Sequence, residues 1–394
     1  MYDVTIIGAG LAGLQLARLL ARGGASVLLV DARRSVADCV RTTGIFVRRT
    51  FEDFPVLHPF LGPAISTIGL HSPGDRVMEL ECEHDEFRVG RMHELYRAML
   101  RQVKRAGAEW RPATTYRSMQ LDADGARLTF RDGTGIRSRF VVGADGARSR
   151  IARDLGLDRN TQWIAAVEHV HPSASPSRPR FDCWIDPAIA PGYLAWAVDD
   201  GKEMHVGVGG DDRRFHPASA LRTFEQRLRR DRTLRDATLL ERRGGLIPVN
   251  GILRRIACGH GLLVGDAAGA VSPLTAGGLD ACMRLSSHAA AVLLNALHEP
   301  AAIRAYSGAA YRSRFASRLG MRRMFDVATR WPSAIELGFV MARTSIAQAM
   351  VQHVFFGRGS FPDADAAPPA TGALRFRRGR PARPRRHTRV LGRE

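Results

Sequence analysis

An α/β fold, in which a nucleotide-binding sheet carries a β-rich insertion and is followed by C-terminal helices, is predicted by three features of this sequence. The first is a strand, glycine turn, helix, strand unit at the amino terminus. The second is a series of alternating strand-like stretches between about residues 160 and 248. The third is the return of a buried strand, GLLVGD at residues 261–266, ahead of a long helical run.

The amino-terminal unit comes first in the chain and carries the most chemistry. VTIIGAGLAGLQLARLLARGGASVLLVD reads as a buried strand, a turn, a helix with apolar Leu11, Leu14, Leu16, Leu19 and Leu20, and a second buried strand ending at Asp31. Gly8, Gly10 and Gly13 form GxGxxG in that turn. The first glycine permits the tight turn, the second lets a pyrophosphate approach the backbone, and the third lets the helix pack against the sheet. The helix N-terminus offers orphan N–H groups to the phosphates, and Asp31 is placed to accept from an adenosine ribose hydroxyl. The unit is therefore of the Rossmann type, and the motif alone does not separate NAD from FAD.

Beyond it, Arg91 opens a helical segment closed by Gly107, and strands are expected at about 118–130 and 137–142. The stretches IAAVEHV and MHVGVGG read as strands of the insertion, interrupted by a helix near 218–230. The division that follows is a discontinuous nucleotide-binding domain at 1–66, 89–160 and 248–300. A β-rich substrate domain covers 67–88 and 161–247. Helices follow over 301–356, with a disordered basic tail at 357–394, where Pro, Gly and Arg cannot bury a core.

Composition narrows the function classes. The net charge of +19 is uneven, since nine arginines crowd residues 375–394, and no aromatic-interleaved groove accompanies it, so no nucleic-acid partner is expected. Five cysteines, Cys39, Cys82, Cys183, Cys258 and Cys282, lie far apart with no CxxC pair, which predicts a reducing, cytoplasmic setting with neither disulfides nor a zinc site. No apolar run of about 18 residues suggests a transmembrane segment. The stretch 335–356 is apolar enough for peripheral contact with a bilayer, or for a core or dimer helix. His169 and His171 alternate onto one strand face as a metal pair would, but no third ligand is evident, and no metal is assigned. Cys39 and Cys282 read as buried small hydrophobes.

Two further motifs complete the set: Asp145-Gly146 after the strand FVVGADGARSR, and Gly265-Asp266 with Pro273, Gly277 and Gly278 in GLLVGDAAGAVSPLTAGGLDA. In this order and spacing the three motifs resemble the flavoprotein group containing p-hydroxybenzoate hydroxylase and geranylgeranyl reductase, over residues 2 to about 330. Gly269 and the run 273–278, the segment APGYLAWAVDDG with Tyr193 and Trp196, and LIPVNG at 246–251 look most like the geranylgeranyl reductase family. Two departures stand out. Asp199 replaces a proline usual after the tryptophan, and Thr42-Thr43-Gly44 stands where many archaeal members have Cys-Gly at the flavin.

The resemblance implies a three-layer β/β/α FAD-binding fold and an FAD-dependent oxidoreductase acting on an apolar, isoprenoid-like or natural-product molecule. Asp266 would bind the ribityl hydroxyls, the helix beginning near Gly277 and Gly278 would aim its positive end at the flavin N1 edge, and Arg41 and Arg91 are candidates to neutralise the pyrophosphate. Asp145 is either a cofactor contact or the turn former of its Asp-Gly pair, and Tyr193 and Trp196 either line the substrate pocket or are core aromatics. The catalytic residues are unknown, because the flavin carries the hard step. With one dinucleotide fingerprint, the electron donor is NAD(P)H bound transiently or a ferredoxin-type protein. A monooxygenase or dehydrogenase of small natural products, and a non-enzymatic flavin-bound binding protein, are the alternatives.

Overall fold

The computed structural model describes residues 1–342, apart from 82–83, 174–178, 212, 214, 232, 235–237 and 313–315. The expected tail at 357–394, and the part of the apolar stretch beyond residue 342, lie outside the described residues.

The first strand, Tyr2–Ile7, pairs in parallel with Val27–Val30 on one side and Gly135–Gly143 on the other. Val4, Ile6 and their neighbours are buried on both faces, as strands between two layers must be. Outward from this centre lie Glu109–Arg111 on one flank and Gly261–Leu263 on the other, both parallel, with Ala257–Cys258 at the edge. An antiparallel pair, Tyr116–Asp122 and Gly125–Phe130, branches from Gly135–Gly143 and completes eight strands.

Three helices pack together beside this sheet: Leu11–Arg22, Met92–Arg105 and Leu279–His298. The first buries Leu11, Leu14, Leu16 and Leu20, and Gly13 explains how close it comes. A Cβ there would stand 1.9 Å from the Gly8 carbonyl oxygen, so only glycine lets helix and turn touch.

A second sheet of seven strands runs in the order Glu241–Pro248, Trp163–Pro172, Glu203–Asp211, Ala195–Asp199, Arg180–Trp184, Thr67–His71, Val77–Glu81. Helix Pro217–Arg230 covers one of its faces, with Phe224 and Leu228 packed on Val206 and Val208. The strands at 67–71 and 77–81 join this sheet through a parallel pairing with Arg180–Trp184, which links segments more than one hundred residues apart. A small third sheet, Ile45–Val47, Phe87–Gly90 and Leu61–Ile65, is a feature that sequence periodicity does not announce, because its strands are short and half-buried. Helices Ala309–Arg312, Ala316–Ala328 and Pro332–Met341 follow. The expected α/β class, with its second β-rich unit and C-terminal helices, is the architecture found.

Candidate active site

One cavity of about 1210 Å³ runs from the glycine turn, along the edge of the seven-stranded sheet, to the C-terminal helices. A site for a single small ligand spans about 300–1,000 Å³. This one has room for a large cofactor and a second molecule.

At its inner end lie Gly8, Gly10, Asp31, Arg41, Asp145 and Gly146, and Gly265, Asp266, Gly277 and Gly278 line the same cavity, with Gly265 against Ala12 of the first helix. Gly8 has φ +110°, and a Cβ on it would strike the Ala144 carbonyl oxygen at 2.2 Å. A Cβ on Gly10 would meet nothing within 4 Å, because that position faces the cavity. Helix Leu11–Arg22 begins there with no acidic residue in its first turn and no side-chain cap, so its amino end is left for an anion. The Asp31 carboxylate, 7% exposed, accepts from the Ala9 N–H and from the Arg33 N–H, each at 2.8 Å, and so pins the turn to the end of the second strand.

Asp266 lines the cavity just past the end of the returning strand Gly261–Leu263. Burial pushes its pKa up to about 6, as expected of a carboxylate on an apolar wall that keeps lone pairs for hydroxyl donors. Beside it, helix Leu279–His298 starts at Gly278 with no side-chain cap. Turn, carboxylate and two helix ends together fit a dinucleotide carrying a polyol chain.

Asp145 lines the cavity, yet its carboxylate is already engaged. It accepts from the Ser149 hydroxyl at 2.6 Å and from the Arg150 and Ile151 N–H groups at 2.8 and 3.2 Å, capping the short helix Arg150–Asp154. Arg91 is not in the lining. It precedes helix Met92–Arg105 and its exposed guanidinium bonds the Pro59 carbonyl at 2.5 Å and Glu94 at 3.0 Å, so the backbone at 59–60 holds it away. Pro273 is buried behind the lining, its ring near Gly251, where it shapes the turn. Arg33, Arg148 and Arg150, which the motifs did not single out, border the cavity beside Arg41. Cys39 and Cys282 are buried free thiols in the lining. Burial raises both, Cys39 to about 11, so neither is a thiolate at neutral pH.

The outer end is apolar, with Leu70, Phe181, Leu194, Met321, Phe325 and Phe339 among its walls. Tyr193 and Trp196 both line it. The Tyr193 hydroxyl donates to the Thr275 carbonyl at 2.7 Å, and Arg322 sits 5.9 Å from its ring centre. Trp196 covers Gly207, where a Cβ would be 2.1 Å from the indole. Asp199, in the position of the missing proline, closes a hairpin turn by accepting from Ser173 and the Gly201 N–H.

Sequence motifs missed the most polar feature of this wall. Glu168 is 3% exposed and its carboxylate accepts from the Trp196 Nε1–H at 3.0 Å, the Arg243 guanidinium at 3.3 Å and the Thr43 hydroxyl. Arg243 also donates to the Thr42 carbonyl at 3.0 Å and to Glu241 at 2.5 Å. Behind Glu168, His205 stands 3.7 Å from it and 3.7 Å from Asp200 on its other side. Burial opposes charge on His205, but Asp200 and Glu168 more than offset it and raise its pKa to about 9. Burial likewise opposes charge on Glu168, yet His205, Arg243 and Thr43 hold its pKa below the ordinary value. The available signal was one carboxylate, Glu168, in the otherwise apolar alternation of Ala166 and Val170. The Thr42-Thr43-Gly44 departure thus comes with its own partner, an acid held against the threonine.

The FAD binding domain family matches residues 1–319. Digeranylgeranylglycerophospholipid reductase 1 of Methanopyrus kandleri is 30% identical over 313 residues, covering 76% of this chain and 82% of that protein. The chain is a flavoprotein of the geranylgeranyl reductase family. The corresponding reductase of Methanosarcina acetivorans is 28% identical over 296 residues, 71% of this chain and 72% of its own. Among solved structures, a geranylgeranyl bacteriochlorophyll reductase-like protein from Thermoplasma acidophilum superimposes with a TM-score of 0.73 at 19% identity, covering 90% of this chain and 99% of that one. A probable FAD-dependent monooxygenase from Pseudomonas aeruginosa gives 0.61 at 19% identity, over 91% and 99%. This flavoprotein is an FAD-dependent oxidoreductase. Among its described residues no helix is long and apolar enough to cross a membrane.

Proposed function

We propose that this flavoprotein reduces a carbon–carbon double bond in a long apolar, isoprenoid-like molecule, held between the cofactor and the seven-stranded sheet. The observation that carries the proposal is the continuity of the cavity, from a dinucleotide turn to apolar and aromatic walls. The matched relatives are reductases of digeranylgeranylglycerophospholipids by name, which fits such walls.

In this proposal Gly8, Gly10 and Gly13 admit the pyrophosphate, Arg41 offsets its charge, Asp31 accepts from the ribose and Asp266 from the ribityl hydroxyls. Gly277 and Gly278 set the second helix end against the N1 edge. When bound, the flavin would supply the hydride, and a proton drawn from solvent at the cavity mouth would complete the reduction. The chain's own residues orient the substrate through Tyr193 and Trp196, exclude water, and keep Thr43 hydrogen-bonded to Glu168 at the wall. NAD(P)H or a ferredoxin-type protein serves as donor. Exposed Met324, Leu337 and Met341 on helices Ala316–Ala328 and Pro332–Met341, with exposed Trp331 between the two helices, suit peripheral contact with a lipid surface at the cavity's helical end.

Asp266→Ala is expected to strip most of the flavin, whereas Asp199→Ala, in its hairpin turn, retains it. Absorbance of the purified proteins compares them, and equal retention would show that Asp266 does not hold the cofactor.

Anaerobic mixing of the chemically reduced enzyme with a geranylgeranyl-chain lipid tests the reaction. The expected result is reoxidised flavin and a hydrogenated lipid by mass spectrometry, both slowed in Trp196→Ala with flavin still bound. Reoxidation that requires oxygen and yields an oxygenated product would establish the second reading, a monooxygenase, with which Thr43 in place of cysteine is compatible. If neither product forms, the apolar-substrate proposal fails.

A further inference from the structure

His169 and His171 point to the face of the seven-stranded sheet opposite Glu168, since side chains alternate along Trp163–Pro172. Helix Pro217–Arg230 packs on that face and delivers Glu225. The third ligand that sequence spacing could not supply is therefore present, more than fifty residues away in the chain. Glu225 Oε1 lies 2.7 Å from His169 Nδ1 and 3.1 Å from His171 Nε2, and the three ligand atoms all fall within 4.8 Å of one another.

We propose that His169, His171 and Glu225 form a divalent-metal site of the zinc class that fastens helix Pro217–Arg230 to the sheet. The donor set is two imidazole nitrogens and one carboxylate, the chemistry zinc takes with a water as fourth ligand. Metal–ligand bonds of about 2.0–2.2 Å separate tetrahedral ligands by roughly 3.3–3.5 Å. The Glu225 separations of 2.7 and 3.1 Å are hydrogen-bond distances, so binding an ion requires the glutamate to draw back from both imidazoles.

The surroundings favour this over a simple hydrogen-bonded trio. His171 is 3% exposed, and among the described residues Glu225 is the hydrogen-bond partner that orients its ring. Both imidazoles aim at one carboxylate oxygen, while Arg229 approaches the other, Oε2, at 3.9 Å and turns Oε1 toward them. A group beyond the ligand that sets its direction is usual in metal sites. His169 is partly exposed and opens the site to solvent, which provides an entry path and room for the water. Leu221 and Phe224 bury the same helix against the sheet, so the site is built on two ordered elements.

The test uses chelator-treated, flavin-loaded protein and zinc chloride alone. Calorimetry is expected to show one zinc per chain and a raised melting temperature, and cobalt(II) in its place should give the visible absorption of a four-coordinate centre. His171→Ala and Glu225→Gln should each weaken zinc binding by 100-fold or more and abolish the cobalt bands. His169→Asn, at the partly exposed position, serves if either buried variant fails to fold. Asp200→Asn should leave binding unchanged, which separates this site from the acidic group around His205. Flavin absorbance monitors folding independently. Zinc binding that survives the substitutions at His171, Glu225 or His169, or its absence from the parent protein, would overturn the proposal.

Discussion

Gly10→Ala should yield a protein that folds like its parent and holds flavin at least tenfold more weakly. The added methyl meets no atom of the described residues within 4 Å, so the apoprotein's melting temperature should not move. It enters the space through which a pyrophosphate reaches the helix end, and flavin affinity should fall by at least an order of magnitude, ~1.4 kcal/mol or more. Gly13→Ala provides the contrast. Its methyl would lie 1.9 Å from a backbone oxygen, so helix and turn must part, and folding and flavin binding should be lost together. Titration of both apoproteins with FAD beside their melting curves decides the matter. If Gly10→Ala binds as the parent does, the cofactor does not cross this turn.

Glu168→Leu should cost about 3–5 kcal/mol, because Arg243 and His205 would then be left buried without their shared carboxylate. The same network sets a pH dependence. His205 is raised from 6.5 to about 9 in the folded chain, so its contribution is complete below about 6.5 and is lost as the pH climbs through 9. Glu168 is held below 4.5, so its contribution is complete above that value and is lost as the pH falls through its folded pKa. Stability from this network should therefore be greatest between about 4.5 and 6.5 and decline on the alkaline side. Denaturant titrations between pH 6 and 10 should show that decline in the parent and a flatter profile in His205→Gln. An unchanged slope in that variant would mean His205 is neutral in the fold.

The cofactor end was legible in the sequence because steric rules act locally. A turn that no Cβ can enter, followed by a helix and a buried strand, leaves a pattern within thirty residues, and Gly8, Gly10, Gly13, Gly265 and Gly278 all border the cavity or the turn behind it. Charge was harder to place. Arg91 and Arg41 look alike in an arginine-rich chain, and only the path of the backbone at 59–60 sends one away from the cavity and leaves the other in it. The substrate wall was least legible. Thr43, Glu168, Trp196, His205 and Arg243 come from five separate segments, and four of them meet because strand Trp163–Pro172 pairs antiparallel with both Glu203–Asp211 and Glu241–Pro248, with Ala195–Asp199 next in the sheet. Glu225 opposite His169 and His171 depends in the same way on where a helix lands. Such contacts leave no spacing to read.

The undivided cavity has a kinetic corollary. Its lining runs without a partition from the dinucleotide turn to the helices at 321–342. A small reductant that entered from the helical end would occupy the passage the organic substrate needs, so the two would visit in turn and each would compete with the other. A donor protein docking elsewhere would escape that competition, and the pattern of mutual inhibition in steady-state kinetics would therefore report which door the electrons use.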